Sequence, residues 1–414
     1  MKNKKLLPLL LVGIMFISMI AGCATSQQPA SAPTAAAPGA TTPEAAPGAA
    51  APEAEPTFDG ELKIGFVTYL SGTRRDLGDR FRCGAEIAVE KINAAGGVNG
   101  AKVVLELFDA GADQQSTINA VQLAVSKPDI AAILGVGYST DNIAYSDIIR
   151  DAKIPLMCLG VSSGILAQKN PYMWMPRVSD VMTSRAFAKL CIDRGIVSPG
   201  QMWMTNGTGR SIYDEIVKYY EEQNLSMGLD LGFNVETETD YTPLVTQYLN
   251  SDCDGLIING YSNAGTPEIV TLLHQYGYDM TKVGAALSAF SSEFTDIVGD
   301  KADGMFGISH YDPTSDRPGT KEYIGLFNAY QDKFTTGWED VCYYDAVLLI
   351  CEGAKLGGAN DSESINKGLS LLKDYTGGAL TDYTFHEDQS LGTTVYVAEI
   401  RGTDIVCIDT IAGR

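Results

Sequence analysis

Residues 60–113 constrain the fold of this chain more than any other stretch: GELKIGFVTYLSGTRRDLGDRFRCGAEIAVEKINAAGGVNGAKVVLELFDAGAD. A short run rich in apolar residues, 63–70, is broken at Leu70, Ser71 and Gly72, after which Phe81, Ala85, Ala88, Ile92 and Ala95 recur at helical spacing. Gly96 and Gly97 end that helix, Asn99 and Gly100 supply a turn in which positive φ is cheap, and 102–108 reads as the next strand. Strand, helix and strand in this order make a βαβ unit. The loop after its first strand then lies at the carboxyl edge of a parallel sheet, where open α/β folds hold ligands.

The N-terminus is of another kind. Lys2, Lys4 and Lys5 precede an apolar stretch over 6–21 that closes on Ile20, Ala21, Gly22 and Cys23. The stretch is short for a ~30 Å hydrocarbon core. It reads as a secretory signal, 1–22, ending in a lipobox, with Cys23 as the lipid-bearing first residue of the mature chain. From 24 to 57 the composition collapses to Ala, Pro, Thr, Gly, Ser, Gln and Glu with no periodicity. Residues 23–58 therefore read as an extended tether that holds a folded part away from a membrane surface.

What remains, 59–414, is too long for one ordinary core, and the hydrophobic fraction of 45% is ample for two lobes. The formal net charge of −21, which becomes more negative once the leader lysines are lost, argues against nucleic acid as a partner. Of eight cysteines Cys23 is the lipid site, leaving an odd number. None has a metal-ligand spacing, and Cys83, Cys158, Cys191 and Cys351 sit in apolar contexts, so they read as buried small hydrophobes. Neither a metal nor a cofactor is expected.

Beyond the opening unit, strands and helices keep alternating. Helix is expected at 116–126, 142–150, 211–223, 242–249 and 267–276, and strand at 130–134, 154–159, 201–205, 231–236, 255–259 and 282–287. The tail adds helices at 321–334, 343–355 and 363–373, then β-like segments at 382–385, 393–400 and 405–408. Two runs of βα units imply an α/β protein with two Rossmann-like lobes, each a parallel sheet flanked by helices.

The chain resembles the branched-chain amino acid (Leu/Ile/Val) receptor type of extracellular solute-binding protein, the type I periplasmic-binding-protein fold that feeds ABC importers. The resemblance rests on Ile64 and Gly65 with Leu70, Ser71 and Gly72, on 84–89 (GAEIAV), 92–100 (INAAGGVNG), Asp109 with Asp113, Leu134 with Gly135, 154–156 (IPL), Asp240 with Tyr241, and 303–305 (DGM). It implies two discontinuous lobes joined by three crossover strands, near 177–179, 309–312 and 376–379. The first lobe is expected at 59–177 plus 311–376, and the second at 178–310 plus 377–414. Three parallel hinges let such lobes close on a ligand.

Residues 135–140 (GVGYST) follow a strand and precede a helix, so their amides and hydroxyls converge on a helix N-terminus, a ready anion site. The resemblance makes Ser139, with Tyr138 beside it, and the segment Val161, Ser162 and Ser163 the holders of a ligand carboxylate, with Ser71 at the cleft edge. It places Leu77 where the family has an aromatic residue, Arg210 where it has a second-lobe tyrosine, and Ala286 where it has the carboxylate that pairs with a ligand ammonium. Tyr261 and Ser262, with Asn263, are the remaining second-lobe contacts. Arg74 and Arg75 could also face the cleft from the first loop.

An unpaired buried ammonium costs several kcal/mol, so Ala286 and Arg210 together point to a ligand richer in negative charge or amide character than leucine: a carboxylate, an aromatic or dicarboxylic acid, or an amide. Residues 160–164 also spell G-x-S-x-G. A nucleophile elbow needs a histidine and a carboxylate, and His274, His310 and His386 have no recognisable triad partner. A non-enzymatic binding subunit of an importer, partnered by ABC permease subunits and held to the membrane by lipid, is the leading expectation. A ligand-sensing module for a signalling receptor would use the same fold, and a surface serine hydrolase using Ser162 is the third class.

Overall fold

A computed structural model describes residues 56–286, 290–331 and 333–412. The signal, Cys23 and nearly all of the tether lie outside the described residues.

The first lobe opens with β1 (Gly60–Thr68), α1 (Arg75–Ala94), β2 (Ala101–Asp109), α2 (Gln114–Val125), β3 (Ile130–Leu134), α3 (Ser139–Ala144), α4 (Ser146–Ala152), β4 (Leu156–Met157), α5 (Ser163–Ala167) and β5 (Met173–Trp174). Its five strands are all parallel, in the order β2-β1-β3-β4-β5. Leu62, Ile64, Phe66 and Val67 are buried, so β1 hides side chains on both faces, as a parallel strand covered by helices must.

Helix α1 begins six residues before its first expected apolar position. Its start carries Arg75 and Asp76, with Asp79 just beyond the first turn, and these have no apolar stripe to announce them. Its far end is locked to β2 by Asn93, whose side-chain amide donates to the Val103 carbonyl and accepts from the Val103 N–H. A Cβ at Gly84 would lie 1.8 Å from the Asp340 carbonyl oxygen, so this glycine sets how closely α1 approaches a later helix.

The second lobe comprises α6 (Asp180–Asp193), β6 (Gly200–Met204), α7 (Gly207–Glu222), β7 (Leu229–Phe233), α8 (Thr242–Leu249), β8 (Leu256–Asn259), α9 (Thr266–Gln275), β9 (Val283–Ala285), α10 (Ser292–Val298) and β10 (Phe306–Ser309). Helices α11 (Pro318–Tyr330), α12 (Trp338–Gly357) and α13 (Ser362–Leu371) return to the first lobe, and β11 (Thr394–Arg401) and β12 (Asp404–Ala412) complete the second sheet. That sheet runs β12-β11-β10-β9-β8-β6-β7, parallel from β10 to β7, with β11 and β12 added antiparallel. The fold is therefore the expected pair of Rossmann-like lobes.

Three details depart from the sequence reading. Helix α6 was not anticipated, because small and apolar residues are buried around most of its circumference and leave no polar–apolar contrast. The expected helix at 142–150 is two helices meeting at Tyr145. The third crossing lies later than 376–379: Ala379, Leu380, Tyr383, Phe385 and Leu391 belong to the first-lobe core, and the chain enters the second sheet at Thr394. Buried Asp345 on α12 holds this segment, accepting the N–H groups of Ala379 and Leu380 at 2.7 and 2.8 Å and the Tyr383 hydroxyl at 2.7 Å. Its 382–385 stretch makes isolated bridges rather than a strand. The first and third crossings touch through the parallel bridge of Val178 to Leu391.

Candidate ligand site between the lobes

A cavity of about 110 Å³ lies where the two sheets present the carboxyl ends of their parallel strands. Leu77 and Phe81 of α1, Gly137 to Ser139 after β3, and Trp338 and Glu339 at the start of α12 line it from the first lobe. Asp180 of α6, Met204, Thr208 and Ile212 around α7, Tyr261 to Asn263 after β8, and Glu293 of α10 line it from the second. Arg177 and His310 come from the first and second crossings.

The lobes touch across it. Ser211 of α7 accepts the Ser163 N–H at 3.0 Å and its hydroxyl lies 2.9 Å from that of Ser163. The Tyr138 and Tyr261 rings meet edge-on with centroids 5.6 Å apart, and the Tyr261 hydroxyl accepts from the Asn206 amide at 2.9 Å. These contacts describe a closed cleft.

The serine end is self-satisfied. Buried Ser139 accepts the Ser162 N–H on its hydroxyl at 3.2 Å, and Val161 accepts the Asp180 N–H on its carbonyl at 3.0 Å, joining the first lobe to the start of α6. Ser162 makes no contact with a histidine: His310 lies against Arg177 and Trp338, and His386 packs by Gly392. No catalytic triad forms around the G-x-S-x-G stretch.

The opposite end is charged. Arg177 is buried; its Nε donates to the Leu159 carbonyl at 2.8 Å, one amino nitrogen lies 3.2 Å from His310 Nε2 and 3.7 Å from Asp180 Oδ1, and the guanidinium stacks 5.1 Å from the Trp338 ring. One side chain thus ties two crossings to both lobes. Burial, then the neighbouring guanidinium, hold the His310 imidazole well below its usual range, so it is the neutral acceptor of an Arg177 proton. Burial pushes the Asp180 carboxyl up, with Arg177 opposing. Glu339, 3% exposed, is pushed up to about 8 by burial, which outweighs its own backbone hydrogen bond, the attraction of Arg80 and the N-terminal position on α12. Glu293 is half-buried, its two oxygens accepting from the Ser262 hydroxyl at 2.6 Å and the Asn263 amide at 3.2 Å.

Leu77, Tyr138, Ser139, Tyr261 and Ser262 line the cavity, while Val161, Ser162 and Ser163 stand immediately behind or beside it. Besides those three, Arg210, Ala286 and Ser71 do not line it. Arg210 is exposed, paired with Asp214 at 3.1 Å and stacked on Trp203 and Tyr213. The cavity takes Thr208 and Ile212, four residues apart on one face of α7, and Arg210 falls between them on the opposite face. Ala286 packs in the core behind the second sheet, its N–H given to the Ile258 carbonyl. Exposed Ser71 donates to Asp109 at 2.6 Å on the rim. Of the loop arginines, Arg74 stacks 4.3 Å from the Tyr138 ring and backs it, while Arg75 is exposed beside Asp79.

The sequence reading missed Arg177, Asp180, Glu293, His310, Trp338 and Glu339. Charged residues inside the two crossing segments were the available signal for Arg177 and His310. For Trp338 and Glu339 there was none, because the polar start of α12 hid its first turn. Arg210 therefore brings no positive charge to the cavity, and three carboxylates, Asp180, Glu293 and Glu339, line it. The seven cysteines among the described residues are free thiols, and no group of side chains there is arranged to hold a metal ion.

Comparison with known proteins agrees with this architecture. A chain from Brucella abortus named Leu/Ile/Val-binding protein homolog 8 is 29% identical over 334 residues, covering 75% of this chain and 80% of the relative. The branched-chain amino acid transporter substrate-binding protein LivJ from Streptococcus pneumoniae, solved with isoleucine, superposes with a TM-score of 0.75 at 22% identity, covering 86% of this chain and 99% of its own. A solute-binding protein of an ABC transporter from R. palustris, solved with benzoate, superposes at 0.76 with 16% identity, covering 86% and 97%. The family model described as periplasmic binding protein matches residues 61–404. The chain belongs to the periplasmic binding protein family, and it is a binding protein rather than an enzyme.

Proposed function

We propose that this chain captures a small carboxylate-bearing solute outside the cytoplasmic membrane and delivers it to the permease of an ABC importer. The observation that carries the reading is the cavity itself, enclosed by both lobes and crossed by the Ser163–Ser211 and Tyr138–Tyr261 contacts. Family membership and relatives named for branched-chain amino acid or aromatic acid binding support it.

The ligand carboxylate enters the serine end. There the Ser139 hydroxyl and the Ser162 and Ser163 amides exchange their mutual and cross-lobe hydrogen bonds for bonds to the ligand, so little is left unsatisfied in either state. Closure about the three crossings buries the solute and brings together the two-lobe surface that a permease reads.

Mass spectrometry of the solute released on denaturing the purified chain, followed by calorimetry with that compound, tests the reading. Ser139→Ala is expected to weaken binding roughly 10–150-fold, the loss of one hydrogen bond to a charged group. An unchanged Kd removes the serine end from the site. Loss of uptake of the same compound on deleting the chain distinguishes import from signalling.

A further inference from the structure

The carboxylate-capture reading leaves the other end of the cavity unexplained. Three carboxylates, Asp180, Glu293 and Glu339, line it against one guanidinium, Arg177, beside a neutral imidazole. Glu293 is fully engaged by Ser262 and Asn263. Asp180 faces Arg177 through Oδ1, while among the described residues its Oδ2 has no partner and Oε2 of Glu339 has none either; the two residues are 1% and 3% exposed. Gly337 makes room for the second of these oxygens, since a Cβ there would lie 2.6 Å from it. Buried carboxylate oxygens cost free energy unless they are paired or protonated.

Resting on the carboxylate-capture reading, we propose that Asp180 and Glu339 each receive one cationic group of the ligand, so that the solute is a diamino or an amino-guanidino carboxylic acid. A neutral zwitterion supplies a single ammonium and leaves one of the two oxygens unmatched, and an aromatic acid leaves both.

When the cavity is empty, a proton takes the place of the cation at Glu339. The groups acting on that carboxyl are Arg80 of α1, which attracts it but is hydrogen-bonded to Thr335 and Ser292, and Asp340 of α12 and Glu293 of α10, which repel its charge. Among the described residues, Asp180 has Arg177 as its opposing charge. An arriving ammonium or guanidinium favours the ionised form, and the carboxyl releases its proton to solvent as the charge pair forms.

Isothermal titration calorimetry on the mature chain tests this with isosteric probes: L-arginine against L-citrulline, L-lysine against 6-hydroxy-L-norleucine, and benzoate. The charged member of at least one pair is expected to bind tenfold or more tighter than its neutral isostere. A buffer-dependent heat at pH 7 is expected to report proton release, and Glu339→Gln to narrow the gap to within about threefold and abolish the release. The wild-type proton count stands by itself if the variant fails to fold. Neutral isosteres or benzoate binding as tightly as the charged probes, without proton release, overturn the inference and leave carboxylate capture intact. Failure of every probe to bind removes both.

Discussion

The two ends of the cavity are built on opposite principles. The serine end is made of amides and hydroxyls from consecutive βα loops of one lobe, and when empty its groups satisfy one another, as Ser139 and Ser162 do at 3.2 Å. The other end is assembled from α6, α10, α12 and two crossings, and it holds buried carboxylate oxygens with no hydrogen-bond partner among the described residues. A neutral hydrogen-bonding end stays cheap to desolvate in either state; a charged end is costly until a complementary charge arrives. The first end orients a ligand, and the second selects it.

The sharpest way to break this contrast is at Arg177, whose guanidinium lines the charged end. Arg177→Met leaves Asp180 buried without its opposing charge and frees both crossings from one another. A loss of about 3 kcal/mol in unfolding free energy is expected by denaturant titration, the scale for removing one partner of a buried pair. A loss below about 1 kcal/mol means that the charged end is not held by this residue.

The next effect is a pH dependence carried mainly by the charged end. The Glu339 carboxyl is raised from about 4.5 to about 8 by burial, so its contribution to unliganded stability is complete below about pH 4.5 and is lost as pH rises toward 8. Asp180, Asp340 and Asp345, all raised by burial, act in the same direction, the last two through about pH 6. Unliganded stability is therefore expected to fall by roughly 5–7 kcal/mol between pH 5 and pH 8, and Glu339→Gln to flatten the upper part of that slope. A stability that rises across this window contradicts a buried, protonated Glu339.

The same contrast explains what was legible in the sequence. The serine end follows from local order: strand 130–134 was placed at its observed ends, and a glycine- and hydroxyl-rich loop after a parallel strand has one place to go. The charged end depends on which side of a helix faces inward and on crossings that meet only after folding. Arg210 and Thr208 are two residues apart, yet one meets solvent and the other the cavity. Glu339 sits in a helix whose apolar content was recognised only from Tyr343 onward, and the last crossing was displaced because Asp345 pins a segment more than thirty residues away.

The smallest expected effect tests the boundary of the site. Arg210 was the sequence's best candidate for a second-lobe anion contact, and the fold puts it on the outer face of α7, paired with Asp214 one turn on and laid against Trp203 and Tyr213. An exposed i,i+4 pair is worth about 0.3–0.5 kcal/mol, and the stacking adds a comparable amount at an exposed site. Arg210→Ala is therefore expected to lower stability by roughly 0.5–1 kcal/mol while leaving ligand Kd unchanged within about twofold, because no cavity-lining group loses a partner. A tenfold weaker Kd with the serine end intact would mean that Arg210 swings into the cleft when ligand is bound, and that the selecting charge at this site is positive.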